Sequence, residues 1–280
     1  MKKVRLVTVT GSRTNTLWHM LNHYKHIVDE IYVVVYEWEG MSILDEVGEI
    51  LKNFPTAKVV RVEKKEKFNW EYVTQLYNET KVLHPDDWWV VSDDDELHVY
   101  SMPLPFMIED CEENGWDIVR GGFIDRIGTF GSFPEILPYK NIFDQFPLAG
   151  FFRYPLSGAC PNKVCVMKGY VEITSGQHYA KVNGETLWGP QTENKLIAPI
   201  DKYNAQVHHF KWDSTCVERI KAVADIRKDY AYSSEYLKMY QAIRRNNFEI
   251  DIANSEFGME YIQQGEYSKW SELIQKIVTI

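Results

Sequence analysis

Two hydrophobic patterns alternate along the first hundred residues. Short apolar runs, such as residues 31–36 (IYVVVY) and 88–91 (WWVV), are typical of strands that are covered on both faces. Between such runs, apolar residues recur every three to four positions, as at Leu17, Met20 and Leu21, which indicates helices packed on one face. The predicted strands are residues 4–10, 31–36, 58–63 and 88–91, and the predicted helices are residues 14–27, 42–53 and 69–83. This alternation predicts an α/β fold with a mainly parallel sheet.

The remainder of the chain is less regular. Residues 128–157 are rich in Gly, Pro and aromatic residues and predict long loops. The helix formers and charges after Asp213 predict a helical region. Further strands are predicted at residues 117–124 (with a glycine break), 163–167 and 205–212, and further helices at residues 214–246 and 267–277.

Composition and missing motifs exclude several functional classes. The chain has 280 residues, with 40 acidic and 31 basic side chains and a net charge of −9. Binding to a nucleic-acid backbone needs a concentrated basic surface, so we expect no nucleic-acid partner. The sequence contains no GxxxxGK[ST] and no GxGxxG after the first strand, which argues against a P-loop and a dinucleotide site. It also contains no GxSxG, which argues against an α/β serine hydrolase.

The sequence also bears on location and redox state. The amino-terminal segment lacks the apolar core of a signal peptide, and no stretch approaches the ~20 apolar residues of a transmembrane segment. We therefore expect a cytoplasmic protein, with peripheral membrane attachment left open. Cys160 and Cys165 are too widely spaced for a zinc knuckle, so the cysteines are interpreted as reduced thiols.

A cluster of acidic residues, Asp93–Glu96, directly follows the apolar run 88–91. In extended chain, Asp93 and Asp95 project to the same side while Asp94 faces away. Two carboxylates aimed at one point repel each other unless a cation lies between them. Mg²⁺ and Mn²⁺ prefer such oxygen ligands, so the cluster predicts a site for a metal and a diphosphate. The alternative is an ordinary solvated turn.

A second cluster lies in the segment VHHFKWD. Period-two alternation puts His208 on the same face as Phe210 and Trp212, which we expect to be buried. His209 and Lys211 then share the other face. There His209 can complete a metal shell and Lys211 can hold a phosphate. The alternative is that both histidines are structural.

Two further elements supply candidate catalytic residues. His178, two residues after Gly176, can donate to a sugar hydroxyl or a phosphate, or it can be a structural histidine. Asp125 can act as a base toward a hydroxyl nucleophile, and Arg126 can orient that nucleophile or contact phosphate. Glu172 is the rival base, and a structural Asp–Arg ion pair is the alternative reading of residues 125 and 126.

Taken in order, these features resemble nucleotide-sugar glycosyltransferases of the GT-A fold, close to family 2. The resemblance covers residues 1–213 and has no counterpart beyond them. It rests on the opening strand VRLVTVTGSR with its helix, on the run from FNW to WWVVSDDDE, on residues 121–128 with Asp125-Arg126, and on the late His209-Phe210-Lys211. It implies a Rossmann-like GT-A domain over residues 1–213, with a mixed, mainly parallel sheet flanked by helices, and a helical carboxy-terminal extension over residues 214–280.

The resemblance also implies a site. Asp95 and His209 would ligate a divalent ion, Mn²⁺ or else Mg²⁺, that bridges the donor diphosphate, and Asp93 would contact the ribose or the metal. Two features depart from the family: Gly11-Ser12-Arg13 stands where an acidic residue is frequent, and the usual Glu-Asp base pair is missing. The implied nucleotide-sugar-binding residues are Thr10, Arg13, Glu37, Asn69, Trp70, Asp93, Asp94 and Lys211, and the candidate catalytic residues are Asp125, Arg126 and His178.

The predicted activity is metal-dependent transfer of a sugar, with inversion, from a nucleotide-diphosphate sugar of the UDP or GDP type to a hydroxyl acceptor such as a glycan. One alternative is a nucleotidyltransferase that makes nucleotide sugars. The other is a non-catalytic carbohydrate-binding protein. The sequence leaves the donor sugar, the acceptor, the linkage and the oligomeric state open.

Overall fold

The computed structural model describes residues 2–263 and 272, apart from residues 12, 39, 153–155, 157, 159, 188–193, 226–232 and 254–260. The chain divides into two compact units. Unit 1 comprises residues 1–122, 161–207 and 271–280, and unit 2 comprises residues 123–160 and 208–270. The predicted division into domains 1–213 and 214–280 stays a prediction.

The regular elements follow the predicted alternation over the first hundred residues. The strands are β1 (Val4–Thr10), β2 (Glu30–Trp38), β3 (Ala57–Lys65), β4 (Trp88–Val91), β5 (Glu96–Tyr100), β6 (Ile118–Ile127), β7 (Leu148–Gly150), β8 (Asn162–Lys168), β9 (Glu172–Ile173), β10 (Ala180–Val182), β11 (Glu185–Thr186), β12 (Ala205–His209) and β13 (Tyr261–Gln263). The helices are α1 (Leu17–Tyr24), α2 (Leu44–Leu51), α3 (Trp70–Lys81), α4 (Leu104–Asn114), α5 (Ile142–Gln145), α6 (Cys216–Asp225) and α7 (Ser233–Arg245).

Unit 1 is built on a mixed, mainly parallel sheet, as the sequence predicts. Its strands lie in the order β6-β8-β4-β1-β2-β3, and β12 pairs with β5 and β6. β1 is parallel to β2 and β4, and β2 is parallel to β3, whereas β8 is antiparallel to both of its neighbours. The buried apolar runs of β1, β2 and β4 supply much of the core, because strands covered on both faces bury all of their side chains.

The predicted glycine break at residues 117–124 is wrong, because β6 continues without interruption to Ile127. Gly121 instead allows close packing: a Cβ at this position would lie 2.1 Å from the carbonyl oxygen of Ala205 in β12. Glycine is therefore the residue that lets β12 lie directly beside β6.

Unit 2 contains more regular structure than the predicted loops. Within residues 128–157 the chain forms α5 and β7, and β7 pairs with the end of β6 and with β13. The core of unit 2 lies between Trp212, α6 and α7. The predicted helical region 214–246 is confirmed where the structure describes it, as α6 and α7. Apart from residue 272, the predicted helix 267–277 lies outside the described residues.

The helices of the described ranges are too short or too polar for any of them to traverse a lipid bilayer. The predicted cytoplasmic location stays a prediction.

Candidate functional site

The acidic cluster lies in a turn rather than in extended chain. β4 ends at Val91, the chain turns at Asp94 and Asp95, and β5 begins at Glu96. The assumption of alternating faces therefore fails here, and each carboxylate has its own partners. Because β4 is parallel to β1, with Val7 opposite Val91, this acidic turn (residues 93–96) lies at the carboxyl end of β4 beside the end of β1.

The loop after β1 holds the middle of the acidic turn. The hydroxyl of Thr10 donates to Oδ2 of Asp94 at 2.6 Å, and Nη2 of Arg13 forms an ion pair with Oδ2 of Asp95. Burial, together with the neighbouring Asp95, raises the pKa of Asp94 to about 7. Arg13 and Asp95 stay partly exposed, with 14% and 13% of their side chains accessible. The structure thus brings four of the residues predicted for nucleotide-sugar and metal binding, Thr10, Arg13, Asp94 and Asp95, into mutual contact.

Asp93 is held from a different side. The hydroxyl of Tyr77 and Nε2 of Gln177 both donate to its Oδ1, each at 2.7 Å. Burial and the nearby Asp93 raise the pKa of Tyr77 well above its usual value, so this phenol stays protonated and remains a donor. Gln177 adopts a positive φ of 60° in the short turn between β9 and β10, and its side chain is buried.

Beneath the turn lies a buried ion pair that sequence reasoning missed. Nζ of Lys163 is 2.7 Å from Oε1 of Glu96 and 3.8 Å from Oδ2 of Asp93. The side chains of Lys163 and Glu96 are almost fully buried. Burial alone would lower the pKa of Lys163, but the charges of Glu96 and Asp93 outweigh it and raise that pKa. The available signal was a lysine in the apolar run of β8, because a buried lysine needs a charged partner.

Two predicted nucleotide-binding residues instead make helix-capping bonds. Oε1 of Glu37 accepts from the backbone N–H groups of Ile43 and Leu44, at 2.7 and 3.1 Å, at the start of α2. Burial alone would raise the pKa of Glu37. Two effects outweigh burial and lower this pKa overall: the positive charge of Lys64, whose Nζ lies 2.9 Å from Oε2, and the two backbone donors. Oδ1 of Asn69 accepts from the N–H of the third residue of α3, Tyr72, at 2.9 Å. Their predicted roles toward a nucleotide stay predictions.

The tryptophans around these elements divide into two groups. Trp88, Trp89 and Trp212 are fully buried, as the sequence predicts for Trp212. Trp70, in contrast, is 41% exposed, and its predicted contact with a nucleotide sugar stays a prediction. Trp70 is the first residue of α3, and its ring meets the ring of Phe68 edge to face at 4.7 Å.

His178 has a structural contact. Its Nδ1 lies 2.9 Å from the carbonyl oxygen of Asn162 at the start of β8. Burial lowers the pKa of His178, which favours the neutral ring. The preceding turn includes Gly176, with a φ of 70°, where a Cβ would lie 2.6 Å from Nε2 of His178. The predicted catalytic role of His178 stays a prediction.

In unit 2, the polar residues of β6 and β12 form two cross-strand pairs. Nδ1 of His209 lies 3.1 Å from Oδ1 of Asp125, and Nε of Arg126 donates to Nδ1 of His208 at 3.0 Å. Consecutive strand residues face opposite sides, so Asp125 and Arg126 belong to different pairs rather than to one ion pair. We call these four residues the strand pair.

The environment of the strand pair is largely apolar. His208 is buried, as the sequence predicts, and Arg126 lies with its guanidinium carbon 5.2 Å from the centre of the Phe143 ring. Burial lowers the pKa of Arg126 to about 10. Nζ of Lys211 lies 5.0 and 5.7 Å from the ring centres of Trp212 and Tyr236, both in unit 2. The predicted contact of Lys211 with a phosphate stays a prediction.

The predicted metal ligands belong to different units, with Asp93 and Asp95 in unit 1 and His209 in unit 2. Within the ranges that the structure describes, no group of three or more His, Cys, Asp or Glu side chains is arranged to hold a metal ion. Shared ligation of one ion by these residues stays a prediction.

The sequence matches no protein-family model and no curated protein. Similar solved structures include TarS of S. aureus (12% identity, TM-score 0.37, 88% of this chain and 44% of TarS). They also include 4-diphosphocytidyl-2C-methyl-D-erythritol synthase (16% identity, TM-score 0.33, 60% and 76%) and the mannosyltransferase PcManGT of Pyrobaculum calidifontis in complex with GDP-Man and Mn²⁺ (15% identity, TM-score 0.31, 42% and 34%).

Such low identities and scores establish no function for this chain. The mixed, mainly parallel sheet with flanking helices is the architecture that the sequence predicts, and this prediction of the fold class is confirmed.

Proposed function

We propose that the chain is a metal-dependent glycosyltransferase that moves a sugar, with inversion, from a UDP or GDP sugar to a hydroxyl acceptor. One observation carries the proposal: the acidic turn lies at the carboxyl end of β4 and is bonded to Thr10 and Arg13 at the end of β1. Ligands of parallel α/β sheets bind at the carboxyl ends of the strands. A diphosphate at this edge would meet carboxylates and one arginine.

The side chains fit a divalent ion in their chemistry. The carboxylates of Asp93 and Asp95 and the imidazole of His209 are the oxygen and nitrogen donors that Mn²⁺ takes in proteins. When bound, such an ion supplies positive charge that stabilises the departing nucleoside diphosphate.

Arg13 has a defined part in this proposal. Its guanidinium pairs with Asp95 and remains partly exposed. A cation that takes over Asp95 would release Arg13, whose planar fork suits bidentate contact with a phosphate. Asp93 would stay oriented during this exchange, because the Tyr77 hydroxyl and the Gln177 amide hold its Oδ1 from elsewhere.

Calorimetric titration tests the proposal. Wild-type protein is titrated with UDP, GDP and CDP in Mn²⁺ and again in EDTA, and Asp95→Asn is titrated in parallel. We expect one nucleotide to bind only with Mn²⁺, and Asp95→Asn to weaken its binding by roughly 10–100-fold, the value of a lost charge-assisted contact. The matched control is Glu109→Gln, an exposed carboxylate on α4, which should bind like the wild type.

Other outcomes would contradict the proposal. Equal nucleotide affinity in Mn²⁺ and in EDTA would show that nucleotide binding does not depend on the metal. Release of pyrophosphate from a nucleoside triphosphate and a sugar phosphate would indicate a nucleotidyltransferase instead. Glycan binding without nucleotide binding would indicate a carbohydrate-binding protein.

A further inference from the structure

We propose that Asp125 is a positioning residue that fixes the tautomer of His209, with the proton on Nδ1 and the lone pair on Nε2. Nε2 is then the atom that His209 offers to a metal ion. The use of Nε2 for metal binding rests on the proposed function, whereas the tautomer does not.

The hydrogen bonds around Asp125 determine the direction of this contact. Its Oδ1 accepts from the indole N–H of Trp212 at 2.8 Å and lies 3.1 Å from Nδ1 of His209. An indole nitrogen can only donate, and an ionised carboxylate can only accept. Nδ1 of His209 must therefore supply the proton, which leaves the lone pair of the neutral ring on Nε2.

The adjacent histidine has the opposite requirement. Nε of Arg126 lies 3.0 Å from Nδ1 of His208, and a guanidinium can only donate. Nδ1 of His208 must therefore carry the lone pair, and its proton lies on Nε2. The two consecutive histidines are thus held in opposite tautomers by the two consecutive residues Asp125 and Arg126.

Packing restrains the same groups. The His209 ring meets the ring of Phe123 edge to face, with centres 4.6 Å apart, and Asp125 is only 6% exposed. If Asp125 took a proton from an acceptor hydroxyl, the carboxyl group would lose the negative charge that strengthens its bonds to both Trp212 and His209. This geometry favours orientation of His209 over the base role that the sequence predicts for Asp125. Carboxylates behind metal-ligating histidines commonly have this effect in proteins.

Long-range ¹H–¹⁵N NMR correlations of the imidazole rings test the inference directly. The full 280-residue protein is measured without metal at about pH 8.5, where ordinary histidines are neutral. Loss of signals in His209→Gln and His208→Gln assigns the two rings. We expect His209 to carry its proton on Nδ1 and His208 to carry it on Nε2. A proton on Nε2 of His209 in the wild type would overturn the proposal, and this reading needs no variant of Asp125.

Asp125→Ala then tests whether Asp125 is the cause. We expect His209 to become a mixture of tautomers while His208 keeps its proton on Nε2, which serves as the internal control. If His209 kept the pure Nδ1–H form in this variant, Asp125 would not be the positioning residue.

Addition of Mn²⁺ separates this inference from the proposed function. Selective broadening of the Nε2 signal of His209 in the wild type, with an affinity roughly 10–100-fold lower in Asp125→Ala, supports both. Absence of broadening, with the opposite tautomers intact, contradicts the proposed metal site and leaves the role of Asp125 standing.

Discussion

The acidic turn of unit 1 and the strand pair of unit 2 bury a cation in two different ways. Lys163 lies 2.7 Å from the carboxylate of Glu96, and that charge raises its pKa in spite of burial. Arg126 contacts the neutral ring nitrogen of His208 and the carbonyl oxygen of Pro147, and burial lowers its pKa to about 10. Among the described residues, Arg126 makes no ion pair.

This difference indicates what each cation does. Lys163 neutralises the buried carboxylate of Glu96 beneath a turn of three aspartates. Arg126 neutralises no charge within the described ranges, and it supplies a hydrogen-bond donor that orients a histidine. Burial of a charge is costly without a partner, so the two cations should differ sharply when they are removed.

The largest expected effect comes from Lys163→Met. Loss of the cation breaks the ion pair with the buried carboxylate of Glu96, and we expect the free energy of unfolding to fall by about 3–5 kcal/mol. Arg126→Met is the matched control, because it removes a buried cation of similar length for which the described part of the chain offers no carboxylate partner. Its free energy of unfolding should change by less than about 2 kcal/mol, since the relief of burying a charge offsets the loss of its hydrogen bonds to neutral acceptors.

Urea denaturation followed by circular dichroism measures both variants. Equal losses in Lys163→Met and Arg126→Met would contradict the distinction between the two buried cations.

Lys81 is a third buried cation, and its removal is expected to raise the free energy of unfolding rather than lower it. Its Nζ donates to the carbonyl oxygen of Val171 and lies 3.2 Å from the sulfur of Met167. Burial lowers the pKa of Lys81 to about 7, and the nearby Glu172 offsets this only in part. We expect Lys81→Met to stabilise the protein at pH 7 by about 1–2 kcal/mol, the charge penalty less one lost hydrogen bond.

The pH dependence distinguishes this cause from better packing. Between pH 7 and the usual lysine pKa of 10.5, the unfolded chain binds the Lys81 proton and the folded chain does not. The contribution of Lys81 to stability therefore rises with pH across this window and is constant below it. The advantage of Lys81→Met should shrink as the pH rises toward 10. An advantage that stays the same at pH 7 and pH 10 would rule out the charge as its cause.

The smallest expected effect concerns the hydroxyl of Tyr77, which donates to the charged Asp93. Tyr77→Phe should lower the free energy of unfolding by about 1–2 kcal/mol, because a hydrogen bond to a charged group contributes more to stability than one between neutral groups. Tyr36→Phe is the control, since that hydroxyl donates to the neutral carbonyl of Lys67 at 3.0 Å. Thermal melting of both variants checks the order, and a larger loss in Tyr36→Phe would contradict it.

The parallel half of the fold was predictable because its signals are local. The runs IYVVVY and WWVV are β2 and β4, and the helices between the strands follow their apolar spacing. α4 was missed although Leu104, Met107, Ile108 and Cys111 have helical spacing and are buried. The small strands β9–β11 and the edge strand β13 carry too few residues for a periodic pattern.

The site was predictable as a set of residues but not as a set of contacts. The acidic turn was found because three aspartates follow an apolar strand, yet their separate orientations depend on a turn that alternation does not describe. Gln177 and Lys163 reach Asp93 from far along the chain, and no local pattern indicates such a contact. Glu37 and Asn69 also make helix-capping bonds that no local pattern in the sequence indicated, and their predicted roles toward a nucleotide stay predictions.

β6 and β12 lie side by side at Gly121, but they are far apart in sequence and are therefore translated at different times. Asp125 and His209 are 84 residues apart in sequence. At typical synthesis rates, roughly 4–17 s separate their addition to the growing chain. During that interval Asp125 and Arg126 exist on a strand whose partner histidines have not yet been translated. The opposite tautomers of His208 and His209 therefore cannot be established until β12 has been translated.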